Sequence, residues 1–123
     1  MEALSVKDIQ QKTIDLKIDI QKYRFTLSYG TNLKITIDCL DKKQSYENEF
    51  SIEEITKIIR YFLICETIKD ISDEISSHLN ELTKIEYKDG VIVLKVILPS
   101  QKNNEAHFLL KIKKGLWERK LII

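Results

Sequence analysis

The chain has 123 residues, 43% of them hydrophobic and 32% charged, which is enough for one hydrophobic core and too little for two comfortable domains. Lys plus Arg number 20 and Asp plus Glu 19, so a formal net charge of +1 excludes a global field that would draw in nucleic acid or an anionic membrane. No apolar run approaches the roughly 20 residues of a membrane span, the N-terminus lacks a basic region followed by an apolar run, and two scattered cysteines without a glycosylation motif fit a reduced, intracellular protein.

Ile14, Leu16, Ile18 and Ile20 alternate with Asp15, Lys17 and Asp19, which predicts a half-buried strand. Tyr23, Phe25, Leu27 and Tyr29 have the opposite parity, so a bulge or a turn at Gln21 and Lys22 must absorb the slip. Residues 29–32 read as a turn into a third strand carrying Leu33, Ile35, Ile37 and Cys39. A second reversal at residues 41–44 leads to a short fourth strand with Tyr46, Asn48 and Phe50, in which Asn48 is the weak member.

At Ser51 the period changes. Ser51-Ile52-Glu53-Glu54 has the form of a capping box, Ser51 accepting from the Glu54 amide and the Glu54 carboxylate from the Ser51 amide. Ile52, Ile55, Ile59, Phe62 and Leu63 then share one helical stripe, and Ile68, Ile71, Ile75, Leu79 and Leu82 share another, displaced by roughly half a turn. Two helices broken near residues 64–67, with Thr67 and Asp70 as a second cap, account for both stripes. Strands resume with Ile85 and Tyr87, the turn dipeptide Asp89-Gly90, and residues 91–98, which are apolar on both faces and predict an interior strand. Pro99 ends it, residues 100–104 form a polar loop, and Ala106, Phe108, Leu110 and Ile112 alternate through a seventh strand. The resulting plan is a single α+β domain over residues 1–123: strands in 13–50, a helical pair in 51–82, strands in 84–114 and an apolar tail in 115–123.

Chemistry-bearing residues are dispersed along this plan. His78 belongs near the end of the second helix in a solvated or capping role, and His107 lies opposite the Phe108 face of its strand. Cys39 continues a core face, and Cys65 falls between the helices, where a buried structural thiol outweighs a nucleophile because no His-bearing partner segment accompanies it. These spacings predict no metal site and no cofactor, and three ungrouped glycines make no phosphate loop. The local charge is uneven: nine acids lie between Glu47 and Glu81 against Lys57, Arg60 and Lys69, while Lys111, Lys113, Lys114, Arg119 and Lys120 face only Glu118. The basic tail around Trp117 reads either as an ordinary solvated edge or as a contact for an acidic partner or nucleic acid. A sequence-specific DNA contact by the helical pair is disfavoured, since Asp70, Asp73 and Glu74 would meet a like-charged duplex.

Seven strands with a helical pair between the fourth and fifth, over residues 13–114, resemble the head domain shared by the DNA end-joining scaffold that binds ligase IV, its accessory factors and the centriolar cartwheel protein. The stretch from Tyr46 to Ile75, with Phe50-Ser51-x-Glu53-Glu54-Ile55 and Tyr61-Phe62, also resembles a functionally undefined protist domain found beside coiled coils. The first resemblance implies a seven-stranded antiparallel β-sandwich with a helix-turn-helix insert, followed by a dimerising coiled coil, acting in assembly without catalysis.

The expected function is therefore a non-enzymatic assembly module, a scaffold or subunit of an intracellular cytoskeletal complex of centriolar or ciliary type, dimeric or part of a larger complex. The alternatives are a nuclear accessory factor of DNA end joining and a small enzyme with an unrecognised site. The expected partner-binding residues are Leu116, Trp117, Arg119, Lys120, Leu121, Ile122 and Ile123, because five apolar residues in the last eight would be unusual if left in water.

Overall fold

The computed structural model describes residues 10–58, 65–80, 82–88, 90–98 and 105–112. The first four strands follow one another as hairpins: β1 (Gln10–Ile18), β2 (Gln21–Tyr29), β3 (Leu33–Cys39) and β4 (Gln44–Phe50). The parity slip is resolved by a two-residue turn at Asp19 and Ile20, earlier than the expected Gln21 and Lys22. Asp19 takes a left-handed φ of 59°, which aspartate tolerates and a β-branched residue resists. Ile20 is consequently 82% exposed at the turn instead of continuing the apolar face of β1. Lys43, with a φ of 54°, makes the corresponding reversal between β3 and β4.

Two helices follow in chain order, α1 (Ile52–Ile58) and α2 (Ile68–Ser77). Both expected caps form. The Ser51 amide donates to Glu54 Oε1 at 2.9 Å and the Glu54 amide to Ser51 Oγ at 3.2 Å. Thr67 and Asp70 exchange the equivalent pair on α2, at 3.1 and 3.3 Å. On α2, Ile68, Ile71 and Ile75 are buried, as is Leu79 just beyond the helix. Leu82 departs from the expected stripe: it is exposed, because the helix ends at Ser77 and its periodicity no longer applies. On α1, Ile55 is buried while Ile52, in the first turn, is partly exposed; Ile59, Phe62 and Leu63 lie outside the described residues.

The last strands are β5 (Lys84–Lys88), β6 (Val91–Ile97) and β7 (Glu105–Ile112), with Gly90 at a φ of 72° between β5 and β6. All seven belong to one antiparallel sheet of order β1-β2-β3-β4-β7-β6-β5. The two separate sheets of a sandwich are thus replaced by one curled sheet. The reason lies at the join of β4 and β7, whose register covers only Tyr46 with Ile112 and Glu47 with Lys111. Beyond these pairs Asn48 takes over the backbone's role: its Nδ2 donates to the Leu109 carbonyl at 2.9 Å and its Oδ1 accepts from the Glu49 amide at 2.8 Å. A polar residue on a core-facing position is tolerated there because both ends of its amide are satisfied.

The curl is visible in which side chains meet. Tyr23 on β2 and Tyr87 on β5 are separated by four strands in the sheet order, yet their hydroxyls lie 2.9 Å apart. Inside the curl Phe25, Leu27, Ile35, Ile37, Ile92, Leu94, Phe108 and Leu110 are fully buried, with Phe50 packed edge-on to Phe108 at 5.5 Å. α2 packs against β2 and α1 against β4 and β7, so Ile55, Ile71 and Ile75 complete the same core. Strand β6, apolar on both faces, lies one strand in from the edge; its Ile92, Leu94 and Val96 are inaccessible and Val93, on the outer face, is also buried.

These placements order two substitutions. Leu94→Ala removes a fully buried side chain and should cost about 2–5 kcal/mol, whereas Thr67→Ala loses a cap and should cost about 1 kcal/mol. Chemical denaturation of both variants measures the ranking, and equal midpoints would contradict the assignment of Leu94 to the packed interior.

Candidate partner-binding surface

The seven tail residues expected to bind a partner, Leu116, Trp117, Arg119, Lys120, Leu121, Ile122 and Ile123, lie outside the described residues. The other candidate side chains have structural partners. His78 is the C-cap residue of α2; its amide donates to the Ile75 and Ser76 carbonyls and its Nδ1 lies 2.8 Å from the Glu74 carbonyl. His107 sits on the outer face with Nε2 2.8 Å from Glu105 Oε1. Cys39 is buried and Cys65 half-buried against the core. Burial pushes both thiols above the ordinary cysteine range, and nearby Glu74 and Asp70 add to the effect on Cys65. A raised pKa disfavours the thiolate, so neither sulfur is activated for attack. Among the described residues no group of three or more His, Cys, Asp or Glu is placed to hold a metal.

Four of the seven exposed large apolar side chains among the described residues lie at one end of the curl, the others being Leu82, Leu109 and Ile52. The registers bring the turn after β1, the turn after β3, the β5–β6 connection and the last residue of β7 to the same end. Ile20, Leu40, Tyr87 and Ile112 are all at that end and are between 39% and 82% exposed. From Ile112 the chain continues toward the segment that contains Trp117. Backbone contacts brace the end: the Leu40 amide donates to the Lys22 carbonyl at 3.1 Å and the Lys22 amide to Asp41 at 3.2 Å.

Below this end, between the β1–β2 hairpin and β5, runs a groove of about 740 Å³ whose walls include Ile18, Tyr23, Leu82, Ile85 and Tyr87 together with Lys17, Lys84 and Glu86. Its floor is held by a small polar cluster. Tyr87 Oη lies 2.9 Å from Tyr23 Oη and 3.5 Å from Cys39 Sγ, and the Lys42 ammonium sits 4.5 Å above the Tyr87 ring. Burial first, then the hydrogen bonds with Cys39 and Tyr23, hold the Tyr87 phenol far above the ordinary tyrosine range. Burial also raises Tyr23 and Tyr46. Neutral hydroxyls that bond to one another tie strands together; they offer no general base near neutral pH. On the groove's outer rim Lys95 Nζ meets Glu86 Oε2 at 2.6 Å across β6 and β5, which lowers the Glu86 carboxyl and satisfies its charge.

The Tyr23, Cys39 and Tyr87 cluster was not anticipated from sequence. Each residue reads there as an inward position of its own strand; only the curl brings β2, β3 and β5 together.

No protein-family model and no curated protein sequence matches the chain. Among solved structures, the head domain of human CCDC61 superposes with a TM-score of 0.65 at 10% sequence identity, covering 85% of this chain and 97% of that one. This chain has a head-domain fold. The expected resemblance to head domains therefore holds at the level of architecture, which at such low identity is the level the likeness reaches.

The tyrosine cluster sets a pH dependence with a definite sign. Because the folded state holds the Tyr87 proton more tightly than the unfolded chain, its contribution is fully present below the model-peptide value of 10.0 and is lost as pH rises above it. Tyr87→Phe should flatten that alkaline decline in a melting-temperature profile between pH 8 and about 11. It should also cost about 1–3 kcal/mol at neutral pH by leaving the Tyr23 hydroxyl without a partner, and the Tyr23→Phe/Tyr87→Phe pair should be closer to neutral than the sum of the two singles.

Proposed function

We propose that this protein is a non-enzymatic assembly module: a head that joins an intracellular cytoskeletal complex, of centriolar or ciliary type, through protein–protein contacts. The observation that carries the reading is the head-domain fold shared with the CCDC61 head over most of both chains. The structure is compatible with it, since each histidine and cysteine among the described residues is engaged in capping, pairing or core packing, and the open apolar side chains Ile20, Leu40, Tyr87 and Ile112 gather at one end. An apolar cluster framed by charged residues is the usual surface of a binding module.

In this reading the C-terminal residues Leu116, Trp117, Leu121, Ile122 and Ile123 are the anchor, and Arg119 and Lys120 meet an acidic surface on the partner or on another copy. Their segment follows β7 in the chain, and the last residue of β7, Ile112, is at the apolar end. Tryptophan and arginine are the side chains that most often dominate such interfaces. Affinity purification of the protein from its own cells with mass spectrometry, and co-sedimentation with the detergent-resistant cytoskeleton, test the reading. Recovery with nuclear repair proteins in place of cytoskeletal ones would redirect it to the end-joining class.

Trp117→Ala in the full chain is expected to lower partner recovery at least tenfold, the equivalent of about 1.4 kcal/mol, while shifting the melting temperature by no more than a few degrees. Light scattering, pull-down and thermal denaturation on the same preparation measure all three. Unchanged recovery together with a large fall in melting temperature would assign Trp117 to the core of its own domain and remove it from the anchor.

A further inference from the structure

β1 is an edge strand of the sheet, and its two halves differ in what they touch. Toward its start, Lys12 reaches across to α2, with Nζ 3.3 Å from Ser76 Oγ and 3.7 Å from Asp73. The second half, residues 14–18, runs beside the open groove, which Lys17 and Ile18 line. On its inner face Ile14, Leu16 and Ile18 pack against the core but stay only half-buried. Its outer face carries Asp15 and Lys17. The two-residue turn makes Ile18 and Gln21 the pair that closes the hairpin, and by the alternation of an antiparallel ladder the backbone groups of Asp15 and Lys17 then point to the free side.

We propose that this edge pairs with the same edge of a second copy, antiparallel, about a twofold axis passing beside Leu16. Charge selects both the partner and the register. Centred on Leu16, Asp15 of each copy faces Lys17 of the other, Leu16 faces Leu16 and Ile14 faces Ile18, so opposite charges share the outer face and apolar side chains the inner one. Moving the centre by one residue sets Asp15 against Asp15 or Lys17 against Lys17, and like charges directly opposite are unfavourable. Centring on Ile14 opposes Lys12, already engaged by α2, to Leu16. Asp15 also accepts from Arg24 Nε and Nη2 at 2.8 and 3.2 Å on the neighbouring strand; a carboxylate has lone pairs for Lys17 of the second copy as well. The other edge, β5, is a poorer candidate: it has five residues against the nine of β1, and its Glu86 is committed to Lys95.

The contact gives the assembly reading above one specific self-interface. It uses no residue of the C-terminal segment, so the two readings fail separately. Sedimentation equilibrium of the full chain should show a dimer. Asp15→Lys and Lys17→Asp should each weaken it roughly tenfold, since either change makes facing pairs repulsive. An equimolar mixture of the two variants restores opposite charges at every facing position and should recover the wild-type mass. In a Cys65→Ser background, Leu16→Cys should cross-link to itself on mild oxidation, including when Trp117→Ala is also present, whereas Ile14→Cys should not. A monomer at all concentrations, a mixture no tighter than its components, cross-linking at Ile14 in place of Leu16, or its loss with Trp117→Ala would overturn the β1 interface.

Discussion

The fold turns on the short ladder between β4 and β7. Two hairpin systems, β1 to β4 and β5 to β7, become one sheet because Tyr46 with Ile112 and Glu47 with Lys111 pair at one end. Had the ladder continued, the sheet would stay broad, and the apolar faces of the two systems would not turn toward each other. Instead the strands part, and Asn48 takes the hydrogen bonds that the ladder gives up, one to the Leu109 carbonyl and one from the Glu49 amide. The opened space is filled by the Phe50 and Phe108 edge contact and by Ile55 of α1. The Asn48 side-chain amide thus bridges the two strands where their backbones part.

The sheet order then sets which strands lie at the two edges. With seven strands, each antiparallel to its neighbours, the edge strands β1 and β5 run in the same direction. They do not join by a ladder of their own; the structure brings side chains together across the interior, Tyr23 to Tyr87 with Cys39 beside them. α2 covers the other stretch, lying on β2 and held from the edge by Lys12. Between these two braces, no described residue covers the groove or pairs with the second half of β1 on its free side. Among the described residues, the free edge lies where neither α2 nor the interior tyrosine contact covers β1.

Much of this was legible because local rules agree with the tertiary structure. The Ser51 and Thr67 capping boxes announce both helices, and the alternation in residues 23–29, 33–39 and 106–112 gives the core faces of β2, β3 and β7. The errors have physical causes. Ile20 fits the alternation of β1 in sequence, but a two-residue turn with Asp19 in the left-handed region pulls it to the surface. Leu82 fits the stripe of α2, but the helix ends at Ser77 and its period no longer applies. A sandwich and a curled sheet share the same alternation along each strand; the difference resides in whether β4 and β7 exchange backbone hydrogen bonds. That is a long-range fact to which no local pattern refers. The tyrosine cluster was hidden for the same reason, since its members come from strands that the sheet order keeps apart.

The distribution of polarity bears on what the head can do. On β1 to β4 the outer face is built from cross-strand pairs, Asp15 with Arg24, Lys34 with Glu47, and Ser45 donating to Asp38 at 2.6 Å. Such exposed pairs add little stability, but they keep the broad face hydrated and unsuited to non-specific burial. The outer face of β5 to β7 is similarly framed by the Lys95–Glu86 and His107–Glu105 pairs around Leu109 and Val93. What differs is the end of the curl, where Ile20, Leu40 and Ile112 are exposed and the Tyr87 ring is covered on one face by Lys42. The turns there place Asp19, Lys43 and Gly90 in left-handed conformations, so the reversals that hold these strand ends together are also what carries Ile20 and Leu40 away from the buried face.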